Sequence, residues 1–136
     1  MAGAGGPIQR PLAMMMRPIT RTVHPDDTLL AVARQLRDAR VGAMLVAEHG
    51  DYVGIVSEAD LVRKGMAGGA AAEQIMARSV MSTPLMTIDI AKSAHEASDI
   101  MAEQGIRHLV ITDEGRVVGM ISVRDLLRYF KNWGAL

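Results

Sequence analysis

Apolar residues Leu29, Val32, Ala33 and Leu36 recur at helical spacing after the polar start His24-Pro25-Asp26-Asp27, and Ala94, Ala97, Ser98 and Met101 repeat that face more weakly. Two continuous apolar runs follow the first of these, Ala43 to Ala47 and Tyr52 to Val56, separated by Glu-His-Gly-Asp. Leu109 to Thr112 and Val117 to Ile121, separated by Asp-Glu-Gly-Arg, match them in the second half. Each pair predicts a β-hairpin whose turn glycine, Gly50 or Gly115, takes positive φ. The stretches SEADLVRK and SVRDLLRYF then predict helices entered at a serine, with basic residues towards the far end as the helix dipole favours. Each half therefore reads strand, helix, strand, strand, helix, its first strand being the short stretch around Thr22 or Thr87.

The two halves are copies. A shift of 65 residues superposes Thr22 on Thr87, Gly50 on Gly115, Gly54 on Gly119, Ser57 on Ser122, Asp60 on Asp125 and Arg63 on Arg128, without a gap from Met16/Met81 onward. A unit of about fifty residues buries too little surface to be stable alone. The expected fold is α/β (α+β): two tandem βαββα repeats packed sheet to sheet about a pseudo-twofold axis into one domain. The expected boundaries are a flexible tail at 1–11, a first repeat at 12–66, a linker and helix at 67–79, a second repeat at 80–131 and a C-terminal tail at 132–136. The linker GMAGGAAAEQIMARSVM opens flexible and turns helical.

Composition narrows the function. Fifteen lysines and arginines balance fifteen aspartates and glutamates, so no net field selects nucleic acid or an anionic membrane. The absence of cysteine excludes a disulfide scaffold, a thiolate nucleophile and cysteine-ligated metal, and fits a reducing cytosol. His24, His49, His95 and His108 show no metal-ligand spacing, and no metal site is expected. No run of eighteen apolar residues or secretory leader pattern is present, which reads as a cytoplasmic chain without membrane contact. Eleven methionines supply either adaptable packing or a repackable pocket wall. Trp133 either anchors a partner or covers the edge of its own core.

The heptapeptides GIVSEAD (54–60) and GMISVRD (119–125) carry the candidate chemistry. In S-x-x-D at a helix start the serine is an N-cap and the aspartate can return a hydrogen bond, as in a capping box. A carboxylate at the same junction can also accept two hydrogen bonds from a vicinal diol such as a ribose offers, and charge-assisted bonds of that kind are strong. Both readings suit Asp60 and Asp125. The leading glycine either keeps the strand end clear or serves a bend.

Paired βαββα repeats, each with G-h-h-S-x-x-D at the hairpin-to-helix junction, with GIRHLVI on a strand and the lead-in VMSTPLMTI, resemble a stand-alone CBS-domain pair over nearly the whole chain. The resemblance implies a non-catalytic sensor that binds an adenosine-containing ligand in clefts between repeats and pairs into a homodimer. It tips Asp60 and Asp125 towards ribose recognition. It also implies one cleft of Ile55, Ser57, Ala59 and Asp60 with Met86, Ile106 and Arg107, and a second of Met120, Ser122, Arg124 and Asp125 with Arg21, Val41 and Gly42. Gly42 and Ala59 stand where the other copy has Arg107 and Arg124, so phosphate contacts are expected to differ.

Three function classes follow. The first is a sensor of AMP, ADP or ATP that requires no cofactor, with S-adenosylmethionine or NAD as alternative ligands and an effector protein as a possible partner. The second is a dimerisation module in which S-x-x-D serves only to cap helices. An enzyme is the third and weakest, since no nucleophile–base motif or phosphate-cradling loop is present.

Overall fold

The computed structural model describes residues 11–132, so the expectations for the first ten residues and for Trp133 lie outside the described residues. These residues form a mixed α/β structure with two three-stranded sheets. They divide into two compact units, one of residues 20–85 and one of residues 11–19 joined by residues 86–132.

In the unit of residues 20–85, strand β1 (Thr22–Val23) pairs in parallel with β2 (Ala43–Glu48), and β3 (Asp51–Ser57) returns antiparallel to β2. Helix α1 (Leu29–Ala39) makes the crossover between the parallel strands. Its first turn is capped by Thr28, whose hydroxyl accepts the Ala31 N–H at 3.1 Å, after a turn in which the His24 N–H donates to the Asp27 carboxylate. Leu29, Val32 and Leu36 are buried against the sheet, the face that the apolar spacing predicts. Two residues of positive φ, His49 at 53° and Gly50 at 82°, close the hairpin. That pair of left-handed residues is the turn whose twist matches the flanking strands.

The second unit repeats this order with β4 (Thr87–Asp89), α4 (Ala94–Gln104), β5 (His108–Asp113) and β6 (Arg116–Ser122). Ser93 caps α4 through the Glu96 N–H, and Glu114 and Gly115 take positive φ in the hairpin. Even the irregularity is copied: a register shift follows Val46 in one hairpin and Ile111 in the other.

The copies diverge after the motif. Residues Val123–Asn132 form helix α5, of ten residues, burying Asp125, Leu126 and Tyr129. The matching stretch holds only one helical turn, α2 (Glu58–Asp60), before widening into a π-helical segment over Leu61–Gly65 and a 3-10 turn over Met66–Gly68. Gly65 explains the change. It is buried so close beneath Leu29 that a β-carbon there would collide with the leucine side chain, and three glycines within five residues are poor helix formers. The expected linker helix is correspondingly short, α3 (Ala77–Val80).

The short segment preceding each repeat packs into a unit that the rest of its repeat does not occupy. Leu12 is fully buried among Ile88, Leu109, Ile111 and Ile121, residues of the second copy. Ala77 and Val80 are buried among Val32, Met44 and Val56, residues of the first. Each segment then pairs with the strand that carries the motif. Arg17 exchanges backbone hydrogen bonds with Met120 at 2.8 and 2.9 Å, and Ser82 does so with Ile55 at 2.8 and 3.1 Å. The motif glycine permits this crossing. A β-carbon at Gly119 would lie 2.8 Å from both the Arg17 carbonyl oxygen and the Met16 sulfur; at Gly54 it would lie 2.9 Å from the Met81 sulfur and 3.1 Å from the Ser82 carbonyl oxygen.

Overpacking of this kind costs about 1–3 kcal/mol. Gly119→Ala is expected to lose more stability in urea unfolding than Gly54→Ala, because its nearest obstacle includes backbone whereas a methionine side chain can swing away. Leu12→Ala, near the start of the described chain, is expected to cost about 2–5 kcal/mol as a core truncation; a loss below about 1 kcal/mol would show that the segment contributes little to that core.

Candidate functional site

At the end of β3 the chain leaves extended geometry at Ser57 and enters α2. The Asp60 N–H donates to Ser57 Oγ at 3.2 Å, while Asp60 Oδ2 accepts from the Ser57 N–H at 3.0 Å and from the Ser57 hydroxyl at 3.1 Å. This is a closed capping box. The Glu58 N–H donates to the Gly42 carbonyl at 2.9 Å, which ties the turn before β2 to the same junction. The other carboxylate oxygen, Oδ1, accepts from the Ser82 hydroxyl at 3.2 Å and lies 3.1 Å from Lys64 Nζ. Lys64 also donates to Ser82 Oγ at 3.0 Å, so the three side chains form one network.

The other junction has the same frame with different partners. Asp125 Oδ2 accepts from the Ser122 N–H and hydroxyl, both at 2.9 Å, and the Asp125 N–H donates to Ser122 Oγ at 3.2 Å. The Val123 N–H donates to the Arg107 carbonyl at 2.9 Å. Oδ1 accepts from Arg17 Nε at 3.3 Å, with Arg128 Nη1 at 3.9 Å. Arg17 occupies the position that Ser82 holds in the 65-residue register.

Asp60 and Asp125 are the buried charged residues among those described, at 7% and 5% exposure. Removing a carboxylate from water costs several kcal/mol unless it is paired and hydrogen-bonded. Each junction meets that requirement by division of labour: the capping serine holds Oδ2, and partly exposed side chains hold Oδ1, with the Ser82 hydroxyl also 3.4 Å from Oδ2 of Asp60.

The sheet gathers the residues expected from sequence at one end of each unit. Thr22, Leu45 and Ile55 lie in one row across the first sheet, and Ala43 faces Ser57. Arg21, Val41 and Gly42 therefore lie at the same sheet end as Ile55, Ser57, Ala59 and Asp60. Met86, Ile106, Arg107, Met120, Ser122, Arg124 and Asp125 take the matching places in the second unit. Sequence reasoning missed the partners of Oδ1. Lys64 and Arg128 follow their aspartates by four and three residues, a helix spacing that could have found them. Arg17 and Ser82 share a register position but no chemistry, and they carried no signal. Among the described residues no three His, Asp or Glu are grouped to hold a metal ion, and no helix is long and apolar enough to cross a membrane.

The sequence profile of the CBS domain matches residues 12–67 and 77–132. The chain is 33% identical over 105 residues to the CBS domain-containing protein YhcV of Bacillus subtilis, covering 77% of this chain and 74% of that one. It is 30% identical over 109 residues to an uncharacterized protein of Methanopyrus kandleri, covering 79% of this chain but 56% of the relative, so it spans about half of that protein's length. A solved structure of an uncharacterized conserved protein from Pyrococcus horikoshii superposes with a TM-score of 0.82 at 26% identity, covering 89% of this chain and 92% of that one.

Asp125→Ala is expected to destabilise the protein by about 1–3 kcal/mol, because the Ser122 donors lose their acceptor in a buried place. Asp125→Asn is expected to cost less, since its carbonyl can still accept from Ser122. Arg17→Ala is expected to cost only about 0.2–1 kcal/mol, because half of that side chain is exposed and its pairing is screened. Urea denaturation of the three variants checks the order; an arginine loss larger than the aspartate loss would overturn the division of labour.

Proposed function

Because the chain belongs to the CBS-domain family, with the repeat present twice, we propose that it is a non-catalytic regulatory module binding an adenosine nucleotide of the AMP, ADP or ATP class. In this reading Asp60 and Asp125 take the ribose hydroxyls. Ile55, Met86, Ile106, Val41 and Met120 flank the base, with Ser57, Ala59, Gly42 and Ser122 at the junctions. Arg21, Arg107 and Arg124 are exposed and available to phosphate.

One observation carries the proposal: each repeat holds a buried carboxylate with one oxygen fixed by a capping serine and the other turned towards partners that can be exchanged. A diol donating to Oδ1 replaces Ser82 and Lys64, or Arg17. The displaced cations are about half exposed. Hydrogen bonds to a charged group contribute about 1.5–3 kcal/mol each, for the displaced partners and the diol alike. The displaced contacts are hydrogen bonds to the same charged oxygen, so the exchange trades like for like, and a freed lysine or arginine gains a phosphate as a new counter-ion.

The second reading is a dimerisation module in which S-x-x-D only caps helices. The full engagement of Oδ2 in both capping boxes favours it. S-adenosylmethionine and NAD carry the same ribose diol and remain alternative ligands. A cytosolic setting, a second copy of the chain and an effector protein as recipient of the signal complete the proposal; the lack of cysteine suits that compartment.

Isothermal titration with ATP and 2′-deoxy-ATP at equal salt tests the proposal. The deoxynucleotide is expected to bind at least about tenfold more weakly, one decade being 1.4 kcal/mol, and the pair Asp60→Asn and Asp125→Asn is expected to lower ATP affinity while the fold persists. Equal affinity for the two nucleotides, or no binding by the wild-type chain, would favour the capping reading.

A further inference from the structure

Within the gapless part of the 65-residue register, Met16 and Met81 are the methionines that superpose on one another. Both are half-buried, and each lies against the motif glycine of its own unit. A β-carbon built on Gly119 would sit 2.8 Å from the Met16 sulfur, and one built on Gly54 would sit 2.9 Å from the Met81 sulfur. The thioether thus fills the space that the missing side chain leaves. Met16 also packs on the core that contains Leu109 and Ile121, and Met81 on the core that contains Val46 and Val56. Each directly precedes the residue that pairs with the motif strand, Arg17 or Ser82, whose side chain contacts Oδ1 of the motif aspartate. Met44 and Met101 are buried, whereas Met14, Met66 and Met76 are exposed. Met16 and Met81 fall between these groups: a small solute can reach them, and the strand pairing depends on their packing.

We propose that Met16 and Met81 are oxidation sites at which hydrogen peroxide loosens the crossing segments and so resets the partners of the buried aspartates. The chain has no cysteine, so two-electron oxidation of sulfur falls to its methionines. The thioether sulfur attacks one peroxide oxygen with a lone pair; the S–O bond forms and the O–O bond breaks. The second oxygen takes up the proton of the transferred one and leaves as water, the sulfur being oxidised and the peroxide reduced by two electrons. Reversal consumes two thiols of a reductase, which become a disulfide while the sulfoxide oxygen leaves as water. The product is larger and polar where the thioether was flexible and apolar. Contact with the glycine leaves no gap for oxygen on that side, and a polar S–O group against an apolar core is penalised. Movement of the segment off the glycine relieves both costs. It breaks the two backbone hydrogen bonds of the bridge and carries Arg17 or Ser82 away from Oδ1. Leucine would fill the same place without this chemistry. The inference rests on packing within each unit and holds whether or not the aspartates take a ribose.

Amide hydrogen exchange of the wild-type chain before and after peroxide treatment tests it, with the oxidised positions located by peptide mass spectrometry. Conversion of Met16 and Met81 is expected to speed exchange at the Arg17, Met120, Ser82 and Ile55 amides at least about tenfold, and methionine sulfoxide reductase with dithiothreitol is expected to restore protection. The variant Met16→Leu/Met81→Leu keeps the exposed methionines, and peroxide is expected to leave its bridge amides protected. Met16→Gln and Met81→Gln, which place a polar group at the sulfur, are expected to show the faster exchange without peroxide. Met16 and Met81 that stay unoxidised in the folded chain while Met14 and Met66 are converted would overturn the proposal. So would unchanged exchange at the bridge amides after oxidation, or equal acceleration in the leucine variant.

Discussion

A methyl group at position 54 or 119 would press on the backbone and methionine of the segment that crosses there, and this close approach sets up much of what surrounds it. With glycine in place, the segments around Arg17 and Ser82 pair against Met120 and Ile55 and extend each three-stranded sheet by one bridge. That pairing fixes where the side chain of residue 17 or 82 falls, which is beside the free oxygen of the motif aspartate. Packing, strand pairing and the electrostatics of the buried carboxylate are thus joined through two residues without side chains.

The two readings of the motif, helix cap and ligand site, occupy different oxygens of the same carboxylate. Capping engages Oδ2 in both copies with nearly the same geometry. Oδ1 is where the copies differ, with a serine and a lysine in one and two arginines in the other. A cap that used both oxygens would leave nothing to exchange, and a carboxylate without a cap would have no fixed direction. The serine orients the group, so its remaining oxygen presents a defined acceptor at low reorganisation cost.

Duplication makes the differences between the halves informative, because the shared frame is a control. Arg40 ends α1 in the left-handed conformation at φ 57°, where Gly105 ends α4 at φ 66°. Gly65 replaces Phe130 and gives up a regular helix for close packing beneath Leu29. Arg34 replaces Asp99 on the outer face of the first long helix. These changes leave strand order and register the same in both halves.

The repeat, its strand and helix order, the positive-φ hairpin glycines and the capping role of Ser57 and Ser122 were all legible in the sequence. Each rests on short-range physics: apolar period, turn sterics and a hydrogen bond spanning three residues. The glycines that stop the first motif helix are visible in the sequence, but its widening over Leu61–Gly65 was not legible, since SEADLVRK has good helical pattern and the close packing of Gly65 depends on Leu29, distant in the chain. Nor could the sequence show why glycine leads the motif, because the reason is a segment from another part of the chain whose backbone oxygen would lie 2.8 Å from an added β-carbon at Gly119 and 3.1 Å from one at Gly54. The partners of Oδ1 divide along the same line. Lys64 and Arg128 follow from helix spacing, but Arg17 reaches Asp125 across 108 residues and Ser82 reaches Asp60 across 22. Contacts of that kind are set by how the sheet edge receives the crossing segment, which only the tertiary structure decides.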